Sequence, residues 1–321
     1  MHNLVTVNIP AYNHENYIQE TIQSIINQTY QNIELIVIDD GSKDATWQKM
    51  CEMKAACEKR FVNVVFETQE NHGTCYTNNR HLKKAQGEYI YFIASDDKAA
   101  PDAIEKLQAF LSQNPEYALC VGDNAIIDSD SKICYWDQKL NIVYDKKNAK
   151  YMTFANYLQN IHNLDFTQDY FGTYNTLYRG NYIPNGYLIR KSIFEKTGLF
   201  TQEAPLEDYW LMLQIAKYAK MKYIDEVLFY YRWHNTNTIK QKSKINDYTK
   251  RTRTYERNLL QNSDLSTMRP EVKVFCEKGC EYKKQNYLGI FTKSVTMLPY
   301  KKKYQYKLFG FPIITRYKDM H

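Results

Sequence analysis

The feature that most constrains the fold of this chain is the alternation, through its first 125 residues, of short apolar runs with longer amphipathic segments. In the longer segments apolar residues recur at helical spacing, as Ile18, Ile22 and Ile25 do. The apolar runs predict five strands, at residues 4–9, 34–38, 62–66, 89–94 and 117–121. Strand–helix–strand repetition with short connections predicts an α/β fold with a mostly parallel sheet and helices on both faces. Because such sheets bind ligands beyond the carboxyl ends of their strands, candidate site residues are expected there.

The sequence is less regular from residue 135 onward. Residues 135–187 are rich in Tyr and Asn, and their pattern assigns them to no element. A helix over residues 206–219 and a strand over 223–231 are predicted. After residue 240 we expect two basic helices and then an aromatic-rich tail.

Bulk composition narrows the class of protein. A 44% hydrophobic content is enough for a core, while the mean hydropathy of −0.62 and the lack of an apolar run of membrane-spanning length argue against an integral membrane protein. The chain opens on a strand-like segment without the pattern of a signal peptide, which predicts a cytosolic location. Most of the +6 net charge lies after residue 240. That asymmetry indicates either a polyanionic partner or a solvated helix face.

The first candidate site residues are Asp39 and Asp40, which follow the predicted strand 34–38 directly. Two adjacent acids cannot both belong to the core. One can stabilise the Gly41–Ser42 turn, as Asp commonly does, and the other can accept hydrogen bonds from a base or ribose. The alternative is that both serve the turn alone.

The second candidates are Asp96 and Asp97, after Ser95 and the strand 89–94. Acids at the mouth of a parallel sheet suit a hard divalent cation, which takes oxygen ligands from carboxylates and substrate phosphates. A cation there would stabilise a leaving diphosphate.

Glu207 and Asp208 lie in the first turn of the predicted helix 206–219, where the helix dipole favours the ionised carboxylate that a general base requires. The alternative for either acid is helix capping. His234 follows the strand 223–231, where it could contact a metal or a diphosphate, or be purely structural.

These four groups, in this order, resemble glycosyltransferase family 2, whose members are inverting enzymes with the GT-A fold. Several short motifs agree with that family in order and spacing. They are residues 7–13 (Val-Asn-Ile-Pro-Ala-Tyr-Asn), 24–30, 37–42 (Val-Ile-Asp-Asp-Gly-Ser), 71–73, 87–90 and 95–97. The match is strong over residues 4–125 and looser to about 235. The chain departs from the family's pattern at Asn78, His81 and Ala94, where members often carry Arg, Gly and Asp.

The resemblance implies a role for each candidate. Asp96 would contact the ribose or diphosphate, Asp97 would hold Mn²⁺ or Mg²⁺, and His234 would complete the metal or diphosphate site. Asp208 would deprotonate the acceptor hydroxyl, and Glu207 would orient either Asp208 or the acceptor. The residues that would frame the base and its ribose are Pro10, Tyr12, Asn13, Asp39 and Asp40.

The resemblance also implies an organisation and partners. Residues 1–238 would form the catalytic domain, in which 1–125 bind a nucleotide-sugar donor, with a UDP-sugar favoured, and 126–238 bind the acceptor. The acceptor would be a glycan or a lipid-linked glycan of bacterial surface polysaccharide, such as lipopolysaccharide, lipooligosaccharide, O-antigen or capsule. Residues 239–321 would form a helical basic region that binds no nucleic acid.

The tail over residues 304–318 interleaves aromatic and aliphatic residues with Lys and Arg, a pattern that suits an anionic membrane surface. A protein so attached would lie peripherally on the inner face of the cytoplasmic membrane. The alternative is that the apolar residues of the tail pack back on the domain.

Two other classes remain as alternatives. A nucleotidyltransferase that makes sugar nucleotides would normally carry a Gly-rich, basic phosphate loop after the first strand, and residues 10–14 have neither feature. A non-catalytic scaffold that binds sugar nucleotides is disfavoured by the intact Asp97 and Asp208.

Overall fold

A computed structural model of the chain describes residues 3–287, 291–297, 301–309 and 311–319. Strands and helices alternate through its first part as the sequence predicts. The described strands are β1 Val5–Ala11, β2 Ile33–Asp39, β3 Asn63–Thr68, β4 Tyr89–Phe92, β5 Lys98–Ala99, β6 Tyr117–Ile127, β7 Ile133–Trp136, β8 Ile142–Val143, β9 Leu188–Arg190, β10 Lys220–Arg232, β11 Cys280–Tyr287, β12 Phe291–Met297, β13 Lys301–Leu308 and β14 Phe311–Asp319. The described α-helices are α1 Ile18–Ile26, α2 Thr46–Arg60, α3 Thr74–Lys84, α4 Ala103–Gln113, α5 Phe154–His162, α6 Tyr174–Leu177, α7 Phe194–Thr197, α8 Glu207–Tyr218, α9 Lys242–Gln261 and α10 Pro270–Lys278.

The first ten strands form one sheet, along which the order is β3-β2-β1-β4-β9-β6-β10-β5, with β7 and β8 attached to β6. Strands β3, β2, β1 and β4 run parallel to one another, and β6 runs parallel to β10. The short β9 lies antiparallel between β4 and β6, and β5 pairs antiparallel with β10 at the edge. This confirms the predicted α/β class with a mostly parallel sheet.

The central strands are apolar on both sides because helices cover both faces of the sheet. On β2, Leu35 and Val37 belong to a core cluster that includes residues of α1, α2 and α4. The intervening Ile36 and Ile38 belong to a second cluster with residues of α3 and α8. Apart from Glu34 near its start, β2 is therefore an apolar strand that connects two helical layers, and Asp39 lies at its carboxyl end.

The C-terminal part differs from the expected helical region. The two helices predicted after residue 240 are α9 and α10, but from Cys280 onward the described residues form a four-stranded antiparallel sheet in the order β11-β12-β13-β14. Tyr304, Tyr306 and Leu308 recur at every second position, the period of a strand, and aromatic residues favour extended backbone. Among the described helices, none has both the length and the apolar character needed to cross a membrane.

A buried ion pair joins α8 to α9. Lys217 Nζ lies 2.9 Å from Glu256 Oε1, and both side chains are at most 1% exposed. Gln214 donates to Glu256 Oε2 at 2.7 Å, and the Tyr174 hydroxyl donates to Oε1. The carboxylate is thus compensated by one cation and two neutral donors.

We expect Lys217→Met to lower the free energy of unfolding by about 3–5 kcal/mol, because it leaves the Glu256 charge buried without its cation. Urea denaturation measures the loss. The matched control is Lys54→Ala, which breaks the exposed Lys54–Glu58 pair of α2 and should change stability by less than about 0.5 kcal/mol. Equal losses in the two variants would contradict a buried, mutually dependent network.

Candidate active site

A cleft of about 860 Å³ opens beyond the carboxyl ends of β1 and β2. Tyr12 and Asp40, which follow these two strands, line it together with residues 71–75. Glu207 and Asp208 of α8 line the same cleft, as do several residues of α9. The structure therefore brings the predicted site residues Asp40, Glu207 and Asp208 to one cavity. This cavity lies beyond the carboxyl ends of parallel strands, where such sheets bind their ligands.

Asp40 organises one wall of this cleft. Its Oδ1 accepts hydrogen bonds from Gln69 Nε2 at 2.6 Å and from the main-chain N–H of His72 at 2.9 Å. Its Oδ2 accepts from the N–H of Gly73 at 2.8 Å. Asp39, also buried, accepts from Thr68 Oγ1 at 2.8 Å. The two acids fix the loop of residues 69–73 against the turn that follows β2, and only Asp40 reaches the cleft lining.

The loop after β1 is fastened to the same turn. Asn13 adopts the left-handed conformation with φ of 52°, donates from its N–H to Ser42 Oγ at 2.9 Å, and accepts from the Lys43 N–H at 2.8 Å. Pro10 lies within β1, paired with Ile38. Tyr12 is 44% exposed and projects into the cleft lining. Of these residues Tyr12 is placed to contact a ligand, whereas Asn13 and Pro10 shape the loop that carries it.

A second cluster lies at the ends of β4 and β10. Asp96 Oδ2 is 2.9 Å from His234 Nε2 and 3.8 Å from His14 Nε2. The other ring nitrogens are anchored by hydroxyls, with His14 Nδ1 2.7 Å from Ser95 Oγ and His234 Nδ1 2.8 Å from Thr236 Oγ1. One ligand atom from each of the three residues lies within 4.8 Å of the others. Two imidazoles, each oriented by a hydrogen bond to a hydroxyl, and one carboxylate fit a divalent cation.

The protonation states of this cluster agree with that use. Burial raises the pKa of Asp96, but the hydrogen bond from His234 and the charges of both histidines outweigh it, so its pKa lies below the ordinary value. Burial lowers the pKa of His14, against the opposing charge of Asp96. An ionised carboxylate and a neutral imidazole are the forms that bind metal ions.

Asp97 does not belong to the cluster of converging ligand atoms from His14, Asp96 and His234. Its Oδ1 accepts from the main-chain N–H of Arg232 at 2.8 Å, and burial together with the charge of Asp96 raises its pKa well above the ordinary value. A carboxyl group of raised pKa that bonds to the main chain suits a structural role. The geometry therefore favours Asp96 as the metal ligand, where the sequence had favoured Asp97.

Arg232 is fully buried and holds this end of the sheet together. Its Nε donates to the main-chain oxygen of Asp96 at 2.6 Å, and its Nη2 pairs with Glu20 Oε2 at 3.1 Å. Its guanidinium lies 4.7 Å from the centroid of the Tyr17 ring, which in turn contacts the ring of His234. Arg232 and His14 are the site residues that the sequence analysis missed. His14 follows β1 closely, so the strand-end position that singled out His234 applied to it as well.

Glu207 and Asp208 begin α8. The residue at the N-cap position is Leu206, whose side chain has no acceptor. Asp208 Oδ1 instead accepts a hydrogen bond from the first-turn N–H of Tyr209 at 2.6 Å, so Asp208 has part of the capping role that was its alternative. Asn181 Nδ2 donates to Asp208 Oδ2 at 2.9 Å. Burial raises the pKa of Asp208, and burial with the neighbouring charge of Asp208 raises that of Glu207 to about 8. A pKa of about 8 keeps Glu207 protonated near neutral pH, and Asp208 in its ionised form can accept a proton.

Asp40, at a strand end, and the acid pair Glu207–Asp208 line one cleft, while His14, Asp96 and His234, which are not among its lining residues, form a cluster that could hold a divalent cation. In an α/β protein this arrangement suits a nucleotide ligand accompanied by a cation. Residues 6–179 match the family model described as glycosyl transferase family 2. This match spans more than half of the chain. The chain therefore belongs to glycosyltransferase family 2.

Individual relatives agree. Over 110 residues the chain is 36% identical to the putative teichuronic acid biosynthesis glycosyltransferase TuaG of Bacillus subtilis. The matched residues make up 34% of this chain and 42% of that protein. The chain spans about half the length of two other curated relatives, 56% of one and 44% of the other.

Solved structures show the same fold at low sequence identity. TarS of S. aureus, residues 1–349, in complex with UDP-GlcNAc is 15% identical with a TM-score of 0.55, over 82% of this chain and 68% of that one. The mannosyltransferase PcManGT of Pyrobaculum calidifontis in complex with GDP-Man and Mn²⁺ is 14% identical with a TM-score of 0.57, over 81% and 65%. The fold is GT-A, as the resemblance implied.

Gly41 gives a test of the turn that carries Asp40. Its φ is +72°, and a Cβ there would meet the main-chain N of Asn71 at 2.8 Å. We expect Gly41→Ala to destabilise the protein by about 2–4 kcal/mol, from left-handed strain plus the clash, and to weaken nucleotide binding.

The matched control is Gly198→Ala, which has φ of +71° but open space around the added Cβ. With ψ of −170° it should cost only the backbone strain, about 1–3 kcal/mol, and leave nucleotide binding unchanged. Thermal denaturation and calorimetric titration with UDP measure both quantities. Indistinguishable effects of the two substitutions would mean that the Asp40 turn does not shape the nucleotide site.

Proposed function

We propose that this protein is an inverting glycosyltransferase that moves a sugar from a nucleoside diphosphate sugar to a hydroxyl group of an acceptor. The observation that carries the proposal is the single cleft that joins Tyr12 and Asp40 at one end to Glu207 and Asp208 at the other. A nucleotide held at the first end would present its sugar to an acid pair at the second.

The donor we propose is a UDP-sugar. Tyr12, exposed at the rim of the cleft, offers a ring on which a base can stack, and Asp40 borders the same space. The structural neighbours were solved with UDP-GlcNAc and with GDP-Man, so the fold accommodates both uracil and guanine nucleotides in those proteins. Their ligands support a nucleotide sugar in general, and the family resemblance favours uracil.

The cation we propose is Mn²⁺ or Mg²⁺, held by Asp96, His234 and His14. Two imidazole nitrogens make this set softer than the all-oxygen surroundings that Mg²⁺ prefers, which favours Mn²⁺. The Mn²⁺ in the mannosyltransferase neighbour is consistent with this choice. When bound, the ion would offset the negative charge of the diphosphate leaving group. Asp97 would act indirectly, by holding the main chain of Arg232.

Asp208 is our candidate for the general base. As the acceptor oxygen attacks the anomeric carbon, its proton passes to the Asp208 carboxylate and the bond from that carbon to the diphosphate oxygen breaks. In-line attack inverts the anomeric centre. The hydrogen bond from Asn181 orients Asp208, and Glu207, protonated near neutral pH because its pKa is about 8, adds no second charge beside the leaving diphosphate.

The acceptor we propose is a glycan or lipid-linked glycan of a bacterial surface polysaccharide. The name of the TuaG relative places that protein in teichuronic acid biosynthesis. In this chain the far side of the cleft is formed by α9, whose Lys244, Tyr248 and Arg251 line it. These side chains provide charge and aromatic surface for the acceptor part of a glycan.

Release of nucleoside diphosphate from a panel of sugar nucleotides, with Mn²⁺ and a lipid-linked glycan acceptor, tests the proposal. Asp208→Asn should lower kcat by about 10²–10⁴-fold, the usual contribution of a general base, while donor binding changes little. Glu207→Gln imitates the protonated acid and should keep most of the activity.

The control is Glu203→Gln, an exposed acid in the same loop that lies outside the cleft lining, and it should behave as the wild type. A dead Glu207→Gln with an active Asp208→Asn would reverse the two roles. Nucleotide binding without turnover of any donor would instead favour the sugar-nucleotide-binding scaffold.

The pH dependence follows from the acid pair. Because the pKa of Asp208 is raised, activity should fall as pH drops through a value above the ordinary carboxyl value of about 4, where the base becomes protonated. Above a pH of about 8, ionisation of Glu207 places a second charge beside the donor and should lower activity again. Steady-state kcat/KM across pH measures both limbs. Glu207→Gln should remove the alkaline limb alone, and a limb that persists in this variant would contradict its assignment.

A further inference from the structure

The hairpin formed by β13 and β14 exposes large apolar side chains. Phe309 is 68% exposed and Phe311 75%, while Leu308, Ile313 and Ile314 are between 40% and 53% exposed. Scattered apolar residues are normal on a protein surface, but five bulky ones within seven positions indicate a surface that binds a partner.

The patch lies at the turn end of the hairpin. Leu308 pairs with Phe311, and Tyr306 with Ile314, so the apolar residues of the two strands gather on either side of the connection. Phe309 has a φ of 49°, a left-handed conformation that bulky residues seldom adopt. We call the described residues 308, 309 and 311–314 the hairpin tip. The alternative raised by the sequence, that these side chains pack back on the domain, does not fit their exposure.

Positively charged side chains lie on both strands next to the hairpin tip. Lys303 and Lys307 lie on β13, and the exposed Arg316 and Lys318 lie on β14. The sequence from 303 to 318 contains no Asp or Glu. Tyr304, Tyr306 and Tyr317 stand between these cations, and Tyr is enriched where proteins meet the headgroup region of a bilayer.

We propose that the hairpin tip inserts into an anionic lipid surface, with its apolar side chains at the headgroup–acyl boundary and the four basic residues against the headgroups. Each Lys or Arg near such a surface contributes about 1 kcal/mol, and buried apolar area adds to it. A nucleic acid could contact the charges and stack on the phenyl rings, but it offers no apolar surface for the aliphatic Leu308, Ile313 and Ile314. A second copy of the chain would bring four like charges against four others. This inference is independent of the proposed transferase activity.

Sedimentation of the full chain with phosphatidylcholine vesicles, with and without phosphatidylglycerol, tests the inference in the absence of any sugar nucleotide. The wild type should bind the anionic vesicles. Phe309→Ser combined with Phe311→Ser should weaken binding by about tenfold or more, since two rings no longer insert. Arg316→Glu combined with Lys318→Glu should weaken it most at low salt.

The control is Val62→Ser, an apolar residue outside the hairpin that is 59% exposed, and it should bind as the wild type does. Unchanged melting temperatures confirm that the variants fold. Equal binding by the control and the double Phe variant, or no binding by the wild type, would overturn the inference. If the wild type self-associates without lipid and the double Phe variant does not, the hairpin tip binds a second copy of the chain. That result would also overturn the inference. Sugar transfer to a soluble acceptor stays unchanged in the Phe variant, so failure here is separable from failure of the transferase proposal.

Discussion

The arrangement of the candidate site depends on one buried cation, the guanidinium of Arg232. From the end of β10 it bonds to the main chain of Asp96 after β4, to Ser131 Oγ in the loop after β6, and to Glu20 on α1. A guanidinium is always charged and directs its donors in a fixed plane, so burying it demands acceptors in set positions. The strand ends that supply those acceptors are thereby held in one geometry, and His234 lies two residues further along the chain.

Carboxylates around the site divide by their surroundings. Asp40 and Asp96 receive hydrogen bonds or face cationic groups, and Asp96 consequently keeps a lowered pKa in spite of burial. Glu207 loses most of its solvation at the cleft wall and lies beside another acid, and these two effects raise its pKa to about 8. Environment alone thus gives one protein both an acid whose pKa is lowered and an acid pair whose pKa values are raised.

Much of the fold and part of the site could be predicted from the sequence, because both depend on local patterns. The apolar run of β2 predicts a buried strand, and the acids that follow it are near the cleft because parallel strands end at one edge. The grouping of residues 14, 96 and 234 could not be predicted, since strand order and the buried Arg232 bring together segments far apart in the chain. The choice between Asp96 and Asp97 likewise depends on a main-chain hydrogen bond that no spacing reveals.

The central claim is that His14, Asp96 and His234 together hold a cation that supports nucleotide binding. The most direct measurement is calorimetric titration with UDP, with and without Mn²⁺, on the wild type and on His14→Gln. The account predicts that Mn²⁺ strengthens UDP binding by the wild type, and that His14→Gln loses this enhancement, by about 10–100-fold, while its metal-free affinity is unchanged. An undiminished Mn²⁺ enhancement in His14→Gln would contradict the proposed site.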